Sequence, residues 1–435
     1  MESDSLSKEM YRNVIFNYGF RGVGIILGLF STSVNLGYLG ATLFGQWATI
    51  ASIASWINYG DFGIGNGFRN EFAKAVADDD KERQKKLIVS TAKMLGQLSI
   101  GLFFLLLLIT EVLFVTAIMD SSLRAAMYIT NFFFCLDLFF GIGRSAAYGY
   151  QKSWLTSLAQ CTTVILRIVG VLILKAYPAS LIIFAIINGM AGIIGNLTLL
   201  TVLAKQVRIQ FTKNLKEYID NSLRKSVMGL GLQFFILQIA CLVLYSSDNL
   251  IINRIIAPEA VTKYDIITKV YTTGENLFSI LLISLWSAVT FAITRGDFDW
   301  VKKELNRLLK IWAVFACGVI VVSLSFNFII KIWLGKNAID YEWSLICLFA
   351  VYTIWGTFGS IFVNISNGLG RLKMQLMFSS VEAVVNIPLS IFFASTLGMG
   401  IFGVKLATLC CCIGANIFVP IDIVSYLRNT RNDNE

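Results

Sequence analysis

Eleven ionisable side chains fall inside stretches of sequence too apolar to welcome them. The bases are Arg21, Lys93, Arg167, Arg254, Lys269 and Lys405, and the acids Glu111, Asp137, Asp248, Glu275 and Glu382. A charge at the middle of a bilayer costs roughly 2.5–3.5 kcal/mol even on the lenient insertion scale, so a charge kept there has a partner or a task. An arginine presents a planar fork that matches phosphate oxygens, and a lysine adds a point charge. Arg21, Arg167 and Lys269, with Asn17, are therefore candidate ligands for an anionic group. Asp248, Glu275 and Glu382 are candidate holders of a proton or sodium ion, since buried carboxylates are easily neutralised. Lys93, Arg254 and Glu111 lie close enough to segment ends to snorkel to the interface. Lys269 has a structural alternative, an ion pair with Asp265 at i, i+4.

Other chemistry has little to work with. The chain has no histidine, which removes the usual metal ligand and the usual general base together. It carries no GxSxG, Walker A or HExxH pattern, which argues against hydrolysis of ATP and against catalysis generally. The cysteines, Cys135, Cys161, Cys241, Cys317, Cys347 and the run Cys410 to Cys412, all sit in apolar stretches and read as small buried hydrophobes. No cofactor or metal is expected.

The elements that must position the charges are membrane helices. Mean hydropathy is +0.70, and 14% of the residues are charged against roughly 25% in soluble domains. Twelve apolar segments can be placed, at 14–37, 41–60, 93–118, 126–146, 155–176, 179–203, 228–256, 264–291, 311–334, 341–366, 374–397 and 400–426. Backbone buried in lipid must satisfy its own hydrogen bonds, so runs of this length are helices and the fold is an all-α polytopic bundle. Pro178 and Pro258 fall in loops; Pro388 and Pro420 fall inside segments 11 and 12 and should bend them. The first 13 residues are polar and lead straight into the first segment, with no cleavable signal peptide expected.

Basic residues orient the bundle. With a cytoplasmic N-terminus, the loops on that side hold 25 of the 36 Lys and Arg residues and the opposite loops five. The positive-inside rule then puts both termini in the cytoplasm. The same asymmetry accounts for the net charge of +9, and no basic arm with interleaved aromatics points to nucleic acid.

Polar residues at helical spacing mark faces turned away from lipid. Segment 1 carries Asn13, Asn17 and Arg21, continuing through Gly24, Gly28 and Ser31 to Asn35; segment 5 carries Ser153, Thr156, Gln160, Thr163 and Arg167. Segment 8 carries Thr268, Thr272, Glu275 and Ser279, segment 10 Thr353, Thr357, Ser360, Asn364 and Asn367, and segment 11 Ser379, Glu382, Asn386 and Ser390. Such stripes either line a hydrophilic lumen or glue helices together.

The loops after segments 2 and 8 share a pattern at an offset of 219 residues. Phe72-Ala73 matches Phe291-Ala292, Asp78 matches Asp297, and Asp80 matches Asp299. The same offset sets Gly149 and Lys152 on Gly368 and Arg371. Two homologous six-helix halves follow, 1–203 and 228–435, joined by a cytoplasmic linker at 204–227. Because six is even, the repeat is parallel, and such architectures usually enclose a central site opened alternately to either side.

The stretch Tyr59-Gly60-Asp61-Phe62-Gly63-Ile64-Gly65-Asn66-Gly67-Phe68-Arg69-Asn70, followed by Glu71-Phe72-Ala73 and the Asp78-Asp79-Asp80-Lys81 turn, resembles a known signature. It is similar to the end of helix 2 in the Wzx-type flippases of O-antigen and capsule synthesis, members of the multidrug/oligosaccharidyl-lipid/polysaccharide exporter superfamily. The Asn367-Gly368-Leu369-Gly370-Arg371 turn resembles that family too. The resemblance implies a multi-pass protein of the bacterial inner membrane. It would move an undecaprenyl-pyrophosphate-linked oligosaccharide from the cytoplasmic to the periplasmic leaflet, alongside a polysaccharide polymerase and a chain-length regulator. Physically, Gly60, Gly63, Gly65 and Gly67, with Asp61, allow close helix contact or backbone turns, as either a tight helix-to-loop turn or a hinge would need. Two other functions compete: a cation-coupled drug or metabolite exporter of the same superfamily, and a membrane-embedded glycosyltransferase or polymerase. The last is weakened by the lack of a large extramembrane loop with paired carboxylates.

Overall fold

The computed structural model describes residues 2–57, 60–116, 121–207, 214–335 and 340–432, and every regular element among them is helical. In chain order the α-helices are α1 (Glu2–Ile57), α2 (Ile64–Ala77), α3 (Lys81–Val115), α4 (Ser121–Phe140), α5 (Ile142–Gly149), α6 (Trp154–Leu174), α7 (Leu181–Val207) and α8 (Asn221–Ile251). They continue as α9 (Pro258–Thr294), α10 (Phe298–Leu324), α11 (Phe326–Leu334), α12 (Trp343–Leu369), α13 (Lys373–Ile391), α14 (Gly400–Cys411) and α15 (Ile413–Asn432).

Among the described residues, eleven helical spans are long and apolar enough to cross a membrane. The second expected segment follows a kink at Gly40 (φ 69°, ψ 172°) that divides two helices, and its described part runs to Ile57. Several helices start earlier than the apolar pattern does, because the basic stretches are helical as well. The Asp80 carboxylate accepts from Arg83 N (2.9 Å) and starts α3 twelve residues before the expected 93; Asp297 accepts from Trp300 N (3.0 Å) and starts α10 likewise. Pro258, expected in a loop, stands at the first position of α9, where its missing N–H is no loss. Pro388 lies inside α13, and the chain widens into a π-turn at Phe392–Thr396 just beyond it.

The paired loops are alike in backbone hydrogen bonding, with one correction to their register. After α2, Asp78, Asp79 and Asp80 donate to the carbonyls of Lys74, Val76 and Ala75; after α9, Arg295, Gly296 and Asp297 donate to those of Phe291, Ile293 and Ala292. Asp79 and Gly296 take positive φ at the same step, 52° and 76°. That correspondence runs at 217 residues rather than 219, so Asp80 and not Asp78 is the counterpart of Asp297. The later turns keep 219. Gln151 and Lys152 donate to Tyr148 and Ala147, as Gly370 and Arg371 donate to Asn367 and Ser366, with positive φ at Gln151 (56°) and Gly370 (69°).

The chain divides into two compact units, Ser5–Phe234, and Phe235–Glu435 with Met1–Asp4. The division falls within α8, beyond the linker expected at 204–227. In the first unit α4 and α6 pack on α7, α3 packs on α4, and α2 lies against α3 and α5 around buried Phe68, Phe72, Leu87 and Leu155. In the second, α9, α10 and α15 pack on α12, around a core that includes Tyr264, Ile267, Phe349 and Val404.

Candidate functional site

The glycine-rich motif builds a turn and a close helix contact. Phe62 and Gly63 both take positive φ (48° and 72°), and the Asp61 carboxylate accepts from Gly63 N (3.0 Å) and Gly65 N (3.1 Å). Burial pushes the Asp61 carboxyl above the ordinary carboxylate range, even though both N–H groups pull the other way. A Cβ on Gly67 would collide with the Val227 carbonyl, and one on Gly231 would lie 3.1 Å from the Gly63 carbonyl, so α2 and α8 meet backbone to backbone. Four residues on from Gly65, Arg69 is buried with its guanidinium 4.6 Å above the Tyr148 ring.

The asparagine stripe of α1 does not face a lumen. Asn13 donates its amide to the Gln151 carbonyl. Asn17 donates to Ser153 Oγ (2.8 Å) and accepts from Ser157 Oγ (2.7 Å), and it is buried. The Asn17 amide thus bonds through both its nitrogen and its oxygen at the contact of α1 with the start of α6. A sequence period identifies the polar face but not its partner; here small hydroxyls of α6 satisfy it. Arg21, one turn on, is half-buried and has no carboxylate within ion-pair distance among the described residues.

Arg167 lies elsewhere, on the wall of a cavity of about 480 Å³ inside the first unit. Ser31 and Asn35 reach this cavity from before the Gly40 kink and Trp47 from after it, so the left-handed glycine lets one chain segment supply both walls. Phe133 and Phe134 of α4 and Asn188 of α7 complete it. The Nε of Arg167 and the amide oxygen of Asn35 are buried without a partner among the described residues, a donor and an acceptor of the kind that is normally satisfied. Asp137 also lines the cavity but is already engaged: it accepts from Arg144 at 3.0 Å and from Asn196 at 2.5 Å. Arg167 feels that carboxylate electrostatically without bonding to it. The set is an aromatic wall with one free cationic donor and one free acceptor. Sequence reasoning singled out Arg167, the charge of Asp137 and the stripe that ends in Ser31 and Asn35, but missed Trp47 and Asn188.

The remaining candidates belong to the second unit. Lys269 is exposed, with no carboxylate in ion-pair range among the described residues; Asp265, its possible partner, accepts from Asn249 instead (2.9 Å). Asp248 accepts from Tyr264 Oη (2.5 Å) and, more loosely, from Thr408 Oγ1 (3.4 Å). Asn386 donates to that same threonine (3.1 Å). Glu275 accepts from Thr353 Oγ1 (2.9 Å). Lys405 is buried with its ammonium 3.2 Å above the Tyr352 ring, drawn to both Asp248 and Glu275 without an ion pair to either among the described residues. Sequence reasoning placed Lys405 in the membrane but gave it no role. Glu382 lies on α13, its electrostatic neighbours including Cys241, Cys411 and Cys412.

These features define an all-α polytopic membrane protein. Solved structures agree on the fold. An outward-facing multidrug resistance MATE transporter of the MOP superfamily is similar at a TM-score of 0.80, with 14% identity, over 98% of this chain and 96% of that one. A MOP superfamily transporter from Pyrococcus furiosus is similar at 0.80 with 13% identity, over 98% and 97%. Residues 11–291 match the family model described as "Polysaccharide biosynthesis protein", and the chain belongs to that family. It is also 20% identical, over 389 residues and 85% of each chain, to a Yersinia pseudotuberculosis protein named "Putative O-antigen export protein". Family and fold together support a flippase or exporter.

Proposed function

We propose that this protein is a flippase of the bacterial inner membrane. It carries a polyprenyl-pyrophosphate-linked oligosaccharide, an O-antigen or capsule repeat unit, from the cytoplasmic to the periplasmic leaflet by alternating access. Both termini are cytoplasmic, as the basic loops require, and the two like-bonded loop pairs are the remnants of a parallel six-helix repeat. Family membership and the O-antigen export relative support the substrate class. The observation that carries the reading is the cavity of the first unit. The apolar face of a pyranose packs on Trp47 and Phe133, its hydroxyls meet the free amide oxygen of Asn35, and the free Nε of Arg167 meets a hydroxyl or phosphate oxygen. Arg21 and Lys269 add positive charge along the route. Asp248, Glu275 and Lys405 sum to one negative charge when all are ionised, which one proton or one monovalent cation neutralises; Glu382 is a second, separate carrier.

Deletion of the gene tests this. Surface polysaccharide should disappear while lipid-linked units accumulate on the cytoplasmic leaflet. Intact surface polysaccharide with raised drug sensitivity would favour a cation-coupled exporter instead.

A further inference from the structure

A second concavity in the first unit, of about 550 Å³, has a different chemistry. It opens where α2, α3 and the start of α8 meet, beside the close contact of Gly67 with Val227. Its floor is apolar, formed by Phe62, Met94, Leu98, Met228 and Leu232. Its rim is basic. Arg224 holds its guanidinium over the rim through Asn221 Oδ1 and Gln97 Oε1, both at 3.3 Å, and its buried Nε has no partner among the described residues. Lys225 stands next to it, and the exposed Lys93, one turn before Gln97 on α3, lies on the same helix face. No carboxylate is among the lining residues. Asp220, just outside, is turned to its own helix start, accepting from Ser222 N (2.8 Å) and Leu223 N (3.2 Å).

We propose that this groove binds an anionic glycerophospholipid of the surrounding bilayer, its phosphodiester on Arg224 and Lys225 and an acyl chain along Met94, Leu98 and Met228. Charge complementarity selects an anionic head. The oxygens of Gln97 and Asn221 are spent on Arg224, which leaves the rim offering donors to an anionic oxygen. A lipid seated here bridges α3 and α8 beside the glycine contact and so braces the place where α8 begins. This inference is independent of the transported substrate.

The test uses the purified full chain in neutral detergent, offered dioleoylphosphatidylglycerol or dioleoylphosphatidylcholine and examined by native mass spectrometry. Phosphatidylglycerol should be retained in preference to phosphatidylcholine. Each basic side chain removed should cost about fivefold in retention, so Arg224→Gln with Lys225→Gln should lose roughly 25-fold. Arg224→Lys should lose less than Arg224→Gln, and Lys302→Gln, on α10, should lose nothing. Circular dichroism and gel filtration check folding; if the double variant fails to fold, the exposed Lys225→Gln alone should still show the fivefold loss. Undiminished retention in a folded variant, or equal retention of the two lipids, would overturn the proposal. So would displacement of phosphatidylglycerol by equimolar undecaprenyl pyrophosphate, which marks a substrate site, or by inorganic phosphate, which marks a free-anion site.

Discussion

Replacing Arg167 with alanine separates a substrate ligand from a structural cation, because the two roles predict different losses. Among the described residues Asp137 is the only charged neighbour drawn to Arg167 electrostatically, and its bonds to Arg144 (3.0 Å) and Asn196 (2.5 Å) do not involve Arg167. Removal therefore leaves no uncompensated buried charge, and the loss of stability should stay near 1 kcal/mol, the ordinary size for a point substitution. Transport should suffer far more. A hydrogen bond to a charged group contributes about 1.5–3 kcal/mol, a factor of roughly 10–150 in affinity for the lipid-linked oligosaccharide. Arg167→Lys should recover part of this, since charge survives without the Nε donor that the cavity leaves free. The assay is restoration of surface polysaccharide in a deletion strain at matched expression, with binding of purified lipid-linked oligosaccharide measured in detergent. Asn35→Ala should weaken the same binding, and the double variant should lose less than the two singles together if both groups hold one sugar. Full restoration by Arg167→Ala at wild-type expression would remove the cavity from the transport route. A stability loss of about 3–5 kcal/mol, the size seen when a buried pair is broken, would make Arg167 a partner of Asp137 and nothing more.

Three further substitutions probe the rest of the machinery. Lys405→Ala removes the base drawn to Asp248 and Glu275 and should lower the thermal midpoint, by about 1–3 kcal/mol of stability, with Glu275→Gln in the same chain restoring part of it; an unchanged midpoint for Lys405→Ala would dissolve the cluster. Asn17→Ala should cost about 1–3 kcal/mol by removing the amide that bonds Ser153 and Ser157 across the helix contact, whereas Arg21→Ala should be stable yet fail to restore surface polysaccharide; the reverse pattern would return Asn17 to the route and take Arg21 off it. Gly67→Ala, whose Cβ meets the Val227 backbone, should abolish stable expression, while Gly65→Ala, which meets only the side chains of Asp61 and Ser145, should be milder, and quantifying folded protein after membrane extraction distinguishes them.

What the chain discloses in one dimension depends on how local the physics is. Spans are local: length and apolarity suffice, and the boundary expected between segments 1 and 2 is a kink at Gly40 where two helices meet without a loop. Turn chemistry is local too, yet the repeat offset slips from 219 to 217 because short acidic runs align equally well two residues apart. Only the positive φ shared by Asp79 and Gly296 resolves which aspartate caps which helix. The site is not local. A polar period locates the inward face of α1, but whether Asn17 meets water or Ser153 depends on a helix 136 residues away. Lys405 shows the same limit from the opposite side, standing alone in the apolar run of α14 while its carboxylates come from α8 and α9 and its aromatic face from α12. Arg167 was legible because a charge at mid-membrane is costly wherever its neighbours come from. What made it a ligand candidate rather than half of an ion pair was invisible until Arg144 and Asn196 were seen to occupy Asp137 first. A buried charge in such a chain is thus assigned by its neighbour's unmet needs, and the free Nε of Arg167 is the residue of that accounting.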